Sequence, residues 1–359
     1  LNGGLTVDFG NFALRSITGY IDSKNGRLFD QDNISADAIN RLNRNEGRSF
    51  SQELRLQSSG KQKLDWVVGA LYAHDRIRQF NSITAGRDTS YTDPVTGEVI
   101  GLLPPIPAGF RINENNKIFK TESIAAFADV TLNLDKLHLT VGGRYTHDKI
   151  TNSAFGVYAF ESPVPDIAGS ASFNDFSPRF VARYEFSDND NIYATVSRGY
   201  KAGGVDINSG IVSRFRPEKL WNYEVGIKGS ALDRTLQYSL SAFYLKWSDL
   251  QVQTNFLRDP SDISSAVELT LNAAKASNKG FELELQARLS PEFRAMVAFG
   301  YLDSKFDKFP EAVLAGGNAV DLTGKRLPKT PKFTATTALD YEHEFDNGWR
   351  LFGRAELNF

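Results

Sequence analysis

The stretch KGFELELQARL, residues 279–289, alternates apolar and polar residues along its whole length. Successive side chains of an extended chain point to opposite sides, so Phe281, Leu283 and Leu285 share one face of a strand. The charged residues between them, such as Glu284, share the other face. The pattern predicts a strand with one apolar face, which meets either a protein core or lipid.

Composition narrows the class of protein. The chain has 359 residues, of which 41% are hydrophobic and 23% charged, and its formal net charge is -2. We find no run of about 18 apolar residues, which excludes a helical membrane protein. The charge balance gives no basic surface for nucleic acid, so no nucleic-acid partner is expected. Cysteine is absent, which excludes disulfides and thiolate metal sites.

The same alternation recurs in pairs of segments joined by a few polar residues, as expected of antiparallel hairpins. Seven pairs predict about fourteen strands and no helix. The paired segments are residues 5–9 with 12–22, 50–58 with 64–76, 123–134 with 137–149, 177–186 with 191–200, 221–230 with 235–250, 279–289 with 293–306, and 333–345 with 349–359.

Strand length and loop length favour a membrane barrel over a soluble sandwich. The predicted strands run ~10 residues or more, as a tilted membrane-crossing strand requires, whereas strands of globular proteins average ~5–6. Short turns follow the odd strands and long loops follow the even ones, an asymmetry typical of transmembrane barrels. The predicted long loops are residues 23–48, 77–117, 150–173, 201–216, 251–272 and 307–330.

The two faces of the strands differ in the same sense throughout. One face is apolar and is predicted to contact lipid, and the other carries both signs of charge and is predicted to line a water-filled lumen. The lipid-facing residues we expect are Phe281, Leu283, Leu285, Leu339, Tyr341, Leu351 and Leu357. The expected aromatic girdles consist of Trp66 and Trp349 near short turns and Trp221 and Trp247 near long loops. The sequence therefore predicts an all-β, antiparallel transmembrane barrel.

Five segments, in order, resemble the barrel of TonB-dependent outer-membrane receptors, and the resemblance spans most of the chain. They are FSQELRLQSSGKQKLDWVVGALY (50–72), SRGYKAGGVD (197–206), RPEKLWNYEVGIKG (216–229), NAAKASNKGFELEL (272–285) and GKRLPKTPKFTATTALDYE (324–342).

The resemblance implies a fold and a function. It implies that residues 1–359 are part of a 22-stranded barrel, with an N-terminal plug and further strands absent from this chain, unless the chain forms a smaller barrel by itself. It implies active uptake of a scarce, large solute across the outer membrane of a Gram-negative bacterium, energised through the TonB complex. A ferric siderophore is the expected ligand. Haem, cobalamin, a nickel complex or an oligosaccharide remain open.

A transported ligand should bind at the extracellular mouth, where loops meet strand ends. Arginine offers planar donors to carboxylate or catecholate oxygens, and aromatic rings offer flat contact area, so an anionic aromatic ligand is expected. The alternative for the arginines is that they bind lipopolysaccharide phosphates, since outer-membrane lipid and lipopolysaccharide are expected partners. The candidate mouth residues are Arg76, Arg78, Tyr91, Phe110, Arg111, Tyr200, Lys201, Arg214, Arg216 and Trp247.

Catalytic, cofactor and metal sites are not expected. The histidines His74, His138, His147 and His343 have no metal-ligand spacing, and we find no nucleophile elbow, phosphate loop or zinc signature. The acidic segment 86–99 lacks the regular spacing of an EF-hand.

Three other functional classes remain open. A passive, porin-like channel would show the same faces and loop asymmetry, and an upstream plug would separate the two. A structural barrel would have a small lumen packed with side chains, which fits poorly with about fourteen strands. An enzyme barrel needs a Ser/His/Asp constellation at a strand end, and none is evident.

Overall fold

The computed structural model describes most of the chain. The described residues are 1–31, 37–60, 62–88, 90–92, 95–96, 98–101, 107–159, 162–208, 210–257, 266–310, 312–313 and 319–359. Within these ranges, no helix is long and apolar enough to cross a membrane.

Fourteen strands form one continuous antiparallel sheet, which confirms the predicted number. Their bounds are β1 Asn2–Asp8, β2 Phe12–Asp30, β3 Ile39–Ser58, β4 Leu64–Ala85, β5 Arg111–Leu134, β6 Leu137–Ala159, β7 Ile167–Glu185, β8 Asn191–Lys201, β9 Glu218–Ala231, β10 Leu236–Leu257, β11 Ala266–Arg288, β12 Phe293–Lys308, β13 Phe333–Glu344 and β14 Arg350–Asn358.

Each strand pairs with its neighbours in sequence, so the order in the sheet is the order in the chain. Between the described residues of β1 and β14 no pairing joins the two edges of the sheet. Short strands outside this order occur near the long-loop end: Gly204–Asn208 pairs with Ile211–Phe215, and Ser162–Val164 pairs with β6.

The short turns adopt backbone conformations that their residues favour. Gly10, Gly60 and Gly348 have φ values of 88°, 79° and 80°, a region that glycine enters without steric penalty. Asp135, with φ 52°, supplies the same conformation between β5 and β6, since aspartate tolerates it better than most residues. The turn residues therefore fix where each hairpin reverses.

The strands run further than the sequence pattern predicts, and the loops are correspondingly shorter. β2 and β3 leave only residues 31–38 between them, where we expected a loop over 23–48. β5 and β6 have 24 and 23 residues, more than the ~9–11 needed to cross a bilayer. The long connections that remain are 86–110, 202–217 and 309–332. The asymmetry between the two ends is retained.

The hairpin 204–215 identifies the concave face of the sheet. The side-chain amide of Asn152 on β6 donates to the carbonyl of Val205 at 2.9 Å. The backbone N–H of Thr270 on β11 donates to Asp206 at 2.7 Å. Because β7 to β10 lie between those two strands, only a concave surface lets one hairpin reach both.

The convex face is apolar and exposed. Ile124, Val141 and Val225 lie on it and are 58%, 56% and 55% exposed. On the concave face the same strands carry charged and hydroxyl side chains, such as Asp129 and Thr140. Apolar side chains are thus exposed on the outside of a curved sheet, opposite to the arrangement of a soluble domain.

Candidate functional site

A buried polar network lies on the concave wall at the long-loop end. Asp148 is 4% exposed and accepts hydrogen bonds from Ser123 and, at 2.9 Å, from the hydroxyl of Tyr200. Asp175 is 6% exposed and lies 2.6 Å from a guanidinium nitrogen of Arg198. The carboxylates are fully engaged, so this network fixes the end of β8 against β6 and β7 rather than offering charge to a ligand.

A second network clamps the start of β9 at the same rim. The guanidinium of Arg216 contacts Asp249 at 2.6 Å, and its backbone N–H donates to the Asn272 side chain at 2.5 Å. The amides of Asn272 and Gln251 donate back to the carbonyl of Arg216 at 2.8 Å and 3.1 Å. Arg216 remains exposed, so its guanidinium can still reach a ligand in the mouth.

The hairpin 204–215 crosses this mouth and is anchored at several points. The ammonium group of Lys117 donates to the carbonyl of Ile207 at 2.7 Å, and the guanidinium of Arg214 donates to the carbonyl of Ser170 at 3.0 Å. A cavity of about 280 Å³ lies between the hairpin and the wall; its lining includes Lys117, Ile167 and Asn208. The mouth thus combines partly apolar space with exposed cations.

Five of the ten predicted mouth residues lie on or beside this rim. Tyr200 and Lys201 end β8, Arg214 lies in the hairpin, Arg216 begins the clamp, and Trp247 packs on the concave side of β10. Exposed guanidinium and ammonium groups around an open mouth can bind an anion.

The other predicted mouth residues lie elsewhere. Arg76 and Arg78 share the convex face with Tyr72, because they differ from it by even numbers of residues within β4. Phe110 precedes β5, and Arg111, its first residue, contacts Glu114 at 3.9 Å. Tyr91 lies in the short strand Ser90–Thr92, and its side chain is outside the described part of the chain.

The register places all seven predicted lipid-facing residues on the convex face. Phe281 lies opposite Tyr301, Leu283 opposite Phe299, and the ring centroids of Phe281 and Tyr301 are 5.8 Å apart. The remaining residues, Leu285, Leu339, Tyr341, Leu351 and Leu357, have convex partners in the same registers. Their contact with lipid stays a prediction.

Trp247 does not fit the girdle predicted for it. It lies opposite Ala276 on the concave face and packs against a cluster containing Phe306 and Phe309. A tryptophan held in this interior position cannot lie at the lipid headgroups. The girdle prediction is therefore restricted to Trp66, Trp221 and Trp349, which have convex positions.

Two neighbouring long-loop segments are joined by a loop clasp, formed by residues 37–40 and 86–88. The guanidinium of Arg87 donates to the Asp37 carboxylate at 3.0 Å, and the Asn40 amide donates to the same carboxylate at 2.5 Å. These hydrogen bonds, with Arg87 the larger cause, lower the pKa of Asp37 below its ordinary value of 3.8.

The clasp should loosen in acid. A carboxylate whose pKa is lowered in the folded state stabilises that state at pH values above its ordinary pKa, which is 3.8 for Asp37. This stabilisation is lost as the pH falls from there through the lowered pKa. Hydrogen exchange at the Gly86 and Asp88 amides, corrected for intrinsic rates, should therefore accelerate as the pH falls below the ordinary pKa of aspartate. The Gly109 amide, which donates to Ala85, serves as the control. Constant protection at Gly86 and Asp88 would contradict this coupling.

The sequence pattern predicts one member of each network, Tyr200 and Arg216, but not the residues that hold them in place. Asp148, Asp175 and Arg198 are absent from the predicted site residues. The ion pair of Arg198 with Asp175 joins residues 23 positions apart, and the hydrogen bond of Tyr200 with Asp148 joins residues 52 positions apart. The alternation within β6 predicts that Asp148 faces the concave side. Its contact with Tyr200 depends on the path of β8 beyond Ser197, where β8 no longer pairs with β7. Among the described residues, no group of three or more His, Asp or Glu could hold a metal ion.

Comparisons with known proteins agree with this architecture. The family model for the TonB dependent receptor-like, beta-barrel matches residues 1–359. The crystal structure of the ferric yersiniabactin uptake receptor FyuA from Yersinia pestis superimposes with a TM-score of 0.77 at 19% identity, covering 99% of this chain and 48% of that one.

Two curated relatives match over shorter regions. The pesticin receptor of Yersinia pestis is 27% identical over 223 residues, which are 61% of this chain and 30% of the receptor. The metal-pseudopaline receptor CntO of Pseudomonas aeruginosa is 28% identical over 174 residues, 48% of this chain and 21% of the receptor. These matches span less than a third of either relative. The family match covers the whole chain, which therefore belongs to the TonB-dependent receptor β-barrels of the Gram-negative outer membrane.

Proposed function

We propose that the protein containing this chain takes up a ferric siderophore or a closely related metal chelate, energised through the TonB complex. The observation that carries the proposal is the family match over residues 1–359. The names of two similar proteins, which refer to ferric yersiniabactin and metal-pseudopaline, point in the same direction. None of these comparisons supports a passive porin-like channel, and the family consists of receptors rather than enzymes.

The mouth supports an anionic ligand. Arg214, Arg216 and Lys201 are exposed and lie on the rim around the hairpin 204–215. Guanidinium groups bind carboxylate and catecholate oxygens in planar, charge-assisted pairs. The half-buried rings near the rim add apolar contact area. A metal chelate with acidic oxygens fits this combination better than a neutral sugar does.

Two further partners belong to the proposal. The plug that contacts TonB would occupy the concave side, where the wall carries salt-bridged charges such as Arg183 with Glu185 at 2.9 Å. The convex apolar face, including Phe281 and Leu283, would contact the acyl chains of the outer membrane. Both the plug and its contacts with this wall are part of the proposal.

Uptake by the full-length protein tests the proposal. Cells that lack the gene should lose accumulation of radiolabelled iron from one ferric siderophore under iron limitation, and the intact gene should restore it. Restoration should fail in a strain without functional TonB. Uptake that does not depend on TonB would contradict active transport. TonB-dependent uptake of another nutrient, without iron uptake, would contradict the siderophore as the ligand.

The rim cations should control affinity for the ligand. The double variant Lys201→Gln with Arg216→Gln removes two charge-assisted contacts, each worth ~1.5–3 kcal/mol when a ligand uses it. The apparent Kd for the ferric siderophore should rise about tenfold or more. Arg234→Gln, in the turn between β9 and β10 at the opposite end, should leave the Kd unchanged. Equal affinity of the double variant and the parent would place the ligand elsewhere.

A further inference from the structure

A row of cations crosses the convex face of β3, β4 and β5. Arg48 lies directly opposite Arg76, and Arg76 lies directly opposite Lys120. Residues opposite one another in an antiparallel pair have Cβ atoms ~4.5–5.5 Å apart, and like charges at that spacing destabilise the sheet. The row therefore favours the binding of an anion.

Further charges surround this row. Arg78 lies in the next row toward the loops, and Lys149 lies opposite Glu122 in the next row toward the short turns. We call Arg48, Arg76, Arg78, Lys120 and Lys149 the convex cationic patch.

Acidic side chains balance only part of the patch. Asp22 contacts Arg48 at 3.3 Å, and Glu46 lies opposite Arg78. Glu122 lies between Lys149 and His74, and its carboxylate is 3.7 Å from the His74 ring. Arg76 and Lys120 have no hydrogen bond or ion pair with any residue in the described part of the chain. Two adjacent, solvent-accessible cations therefore stay unneutralised at the centre of the patch.

The patch borders the apolar surface directly. Phe50 and Tyr72 lie just below it on the same face, with ring centroids 6.4 Å apart, and Ile124 lies opposite Tyr72. All three side chains are exposed. A ligand that covers both surfaces must carry phosphate-like charge next to acyl chains.

The height of the patch matches the edge of a bilayer. Trp66, near the short turn that begins β4, lies ten residues before Arg76 on the same face. Ten residues extend ~34 Å along a strand, and a tilt of ~40° reduces this to ~26 Å of height. The apolar band of an outer-membrane barrel is ~25 Å tall. Arg76 and Lys120 therefore lie at the level of lipid headgroups on the long-loop side.

We propose that the convex cationic patch binds the phosphate groups of a lipopolysaccharide molecule of the outer leaflet, with its acyl chains against Phe50, Tyr72 and Ile124. Arg76 and Lys120 hold the phosphate, and Arg78 and Lys149 flank it. The site is on the opposite face from the ligand mouth. Arg76 and Arg78, predicted as mouth residues, are assigned here to lipid. The inference rests on the proposed contact of the convex face with lipid.

Binding of bisphosphorylated lipid A to the purified full-length protein tests the site. In detergent, titration followed by native mass spectrometry should give an apparent Kd at least tenfold higher for Arg76→Gln with Lys120→Gln than for the parent. The charge-preserving pair Arg76→Lys with Lys120→Arg should bind as the parent does. The pair Lys136→Gln with Arg234→Gln removes the same charge in the short turns and should have no effect.

Two outcomes would overturn the proposal. One is equal binding of lipid A by the parent and the folded glutamine pair, with folding checked by heat-modifiable migration. The other is displacement of lipid A by millimolar inorganic phosphate, which would indicate a site for the free anion. Lipid contact of the convex face is tested independently by the stability of a Leu240→Arg variant, which lies outside the patch.

Discussion

Replacing Arg198 by methionine is expected to destabilise the barrel by ~3–5 kcal/mol. The Asp175 side chain is only 3% exposed, and Arg198 is its charged partner at 2.6 Å. Removing one member of a buried ion pair leaves the other charge without compensation, and such losses are of that size. Among the described residues, Ser177 alone would then donate to this carboxylate, at 2.7 Å. Denaturant unfolding of the full-length protein in detergent or liposomes measures the loss.

An exposed ion pair within β7, the strand that carries Asp175, provides the control. Arg183 contacts Glu185 at 2.9 Å, but both side chains are at least 40% exposed. Arg183→Met should therefore reduce the free energy of unfolding by only ~0–1 kcal/mol. Similar losses for the two variants would mean that Asp175 is accessible to water in the native protein, contrary to its burial.

Arginine at Leu240 should destabilise the protein by ~2–4 kcal/mol. Leu240 lies on the convex face opposite Leu283 and is 41% exposed. It lies about midway along the uncharged convex stretch between the turn at residues 232–235 and Lys246. At this depth the leucine would contact lipid hydrocarbon, and the variant would put a charged group there instead. Folding titrations into liposomes compare the variant with the parent.

The adjacent residue gives a matched comparison at the same depth. Ser241 points to the concave face and lies opposite Glu282, so an arginine there would meet water and a carboxylate. Ser241→Arg should change the free energy of unfolding by less than ~1 kcal/mol. Equal losses at the two positions would refute the assignment of the convex face to lipid.

The membrane-crossing part of the fold could be predicted from the sequence because its two faces meet different solvents. In β11, the alternation of Phe281, Leu283 and Leu285 with charged residues specifies both the strand and its face. Beyond the bilayer this signal disappears, since both faces of a strand meet water or other loops. Residues 113–117 of β5 are polar with no apolar stripe, so the pattern predicts a loop where the strand continues.

The ligand mouth was only partly predictable, for two different reasons. Distance along the strand predicts Arg76 and Arg78 in the mouth and Trp247 also in the girdle. Counting alternate residues from Tyr72 or Tyr244 gives the observed face for each. By contrast, the contact of Tyr200 with Asp148 spans 52 residues. This contact depends on the path of β8 after its last pair with β7, Ser197 with Arg179, and no local sequence pattern specifies that path.

The sequential strand order has a consequence for how the chain folds. Every strand pairs only with its sequence neighbours, and short turns join seven of these pairs. Closing a turn of a few residues loses little chain entropy, and each later hairpin adds to an edge that already exists. The sheet therefore has a low contact order for its size, and low contact order is associated with fast folding. Its assembly can proceed one hairpin at a time from either edge.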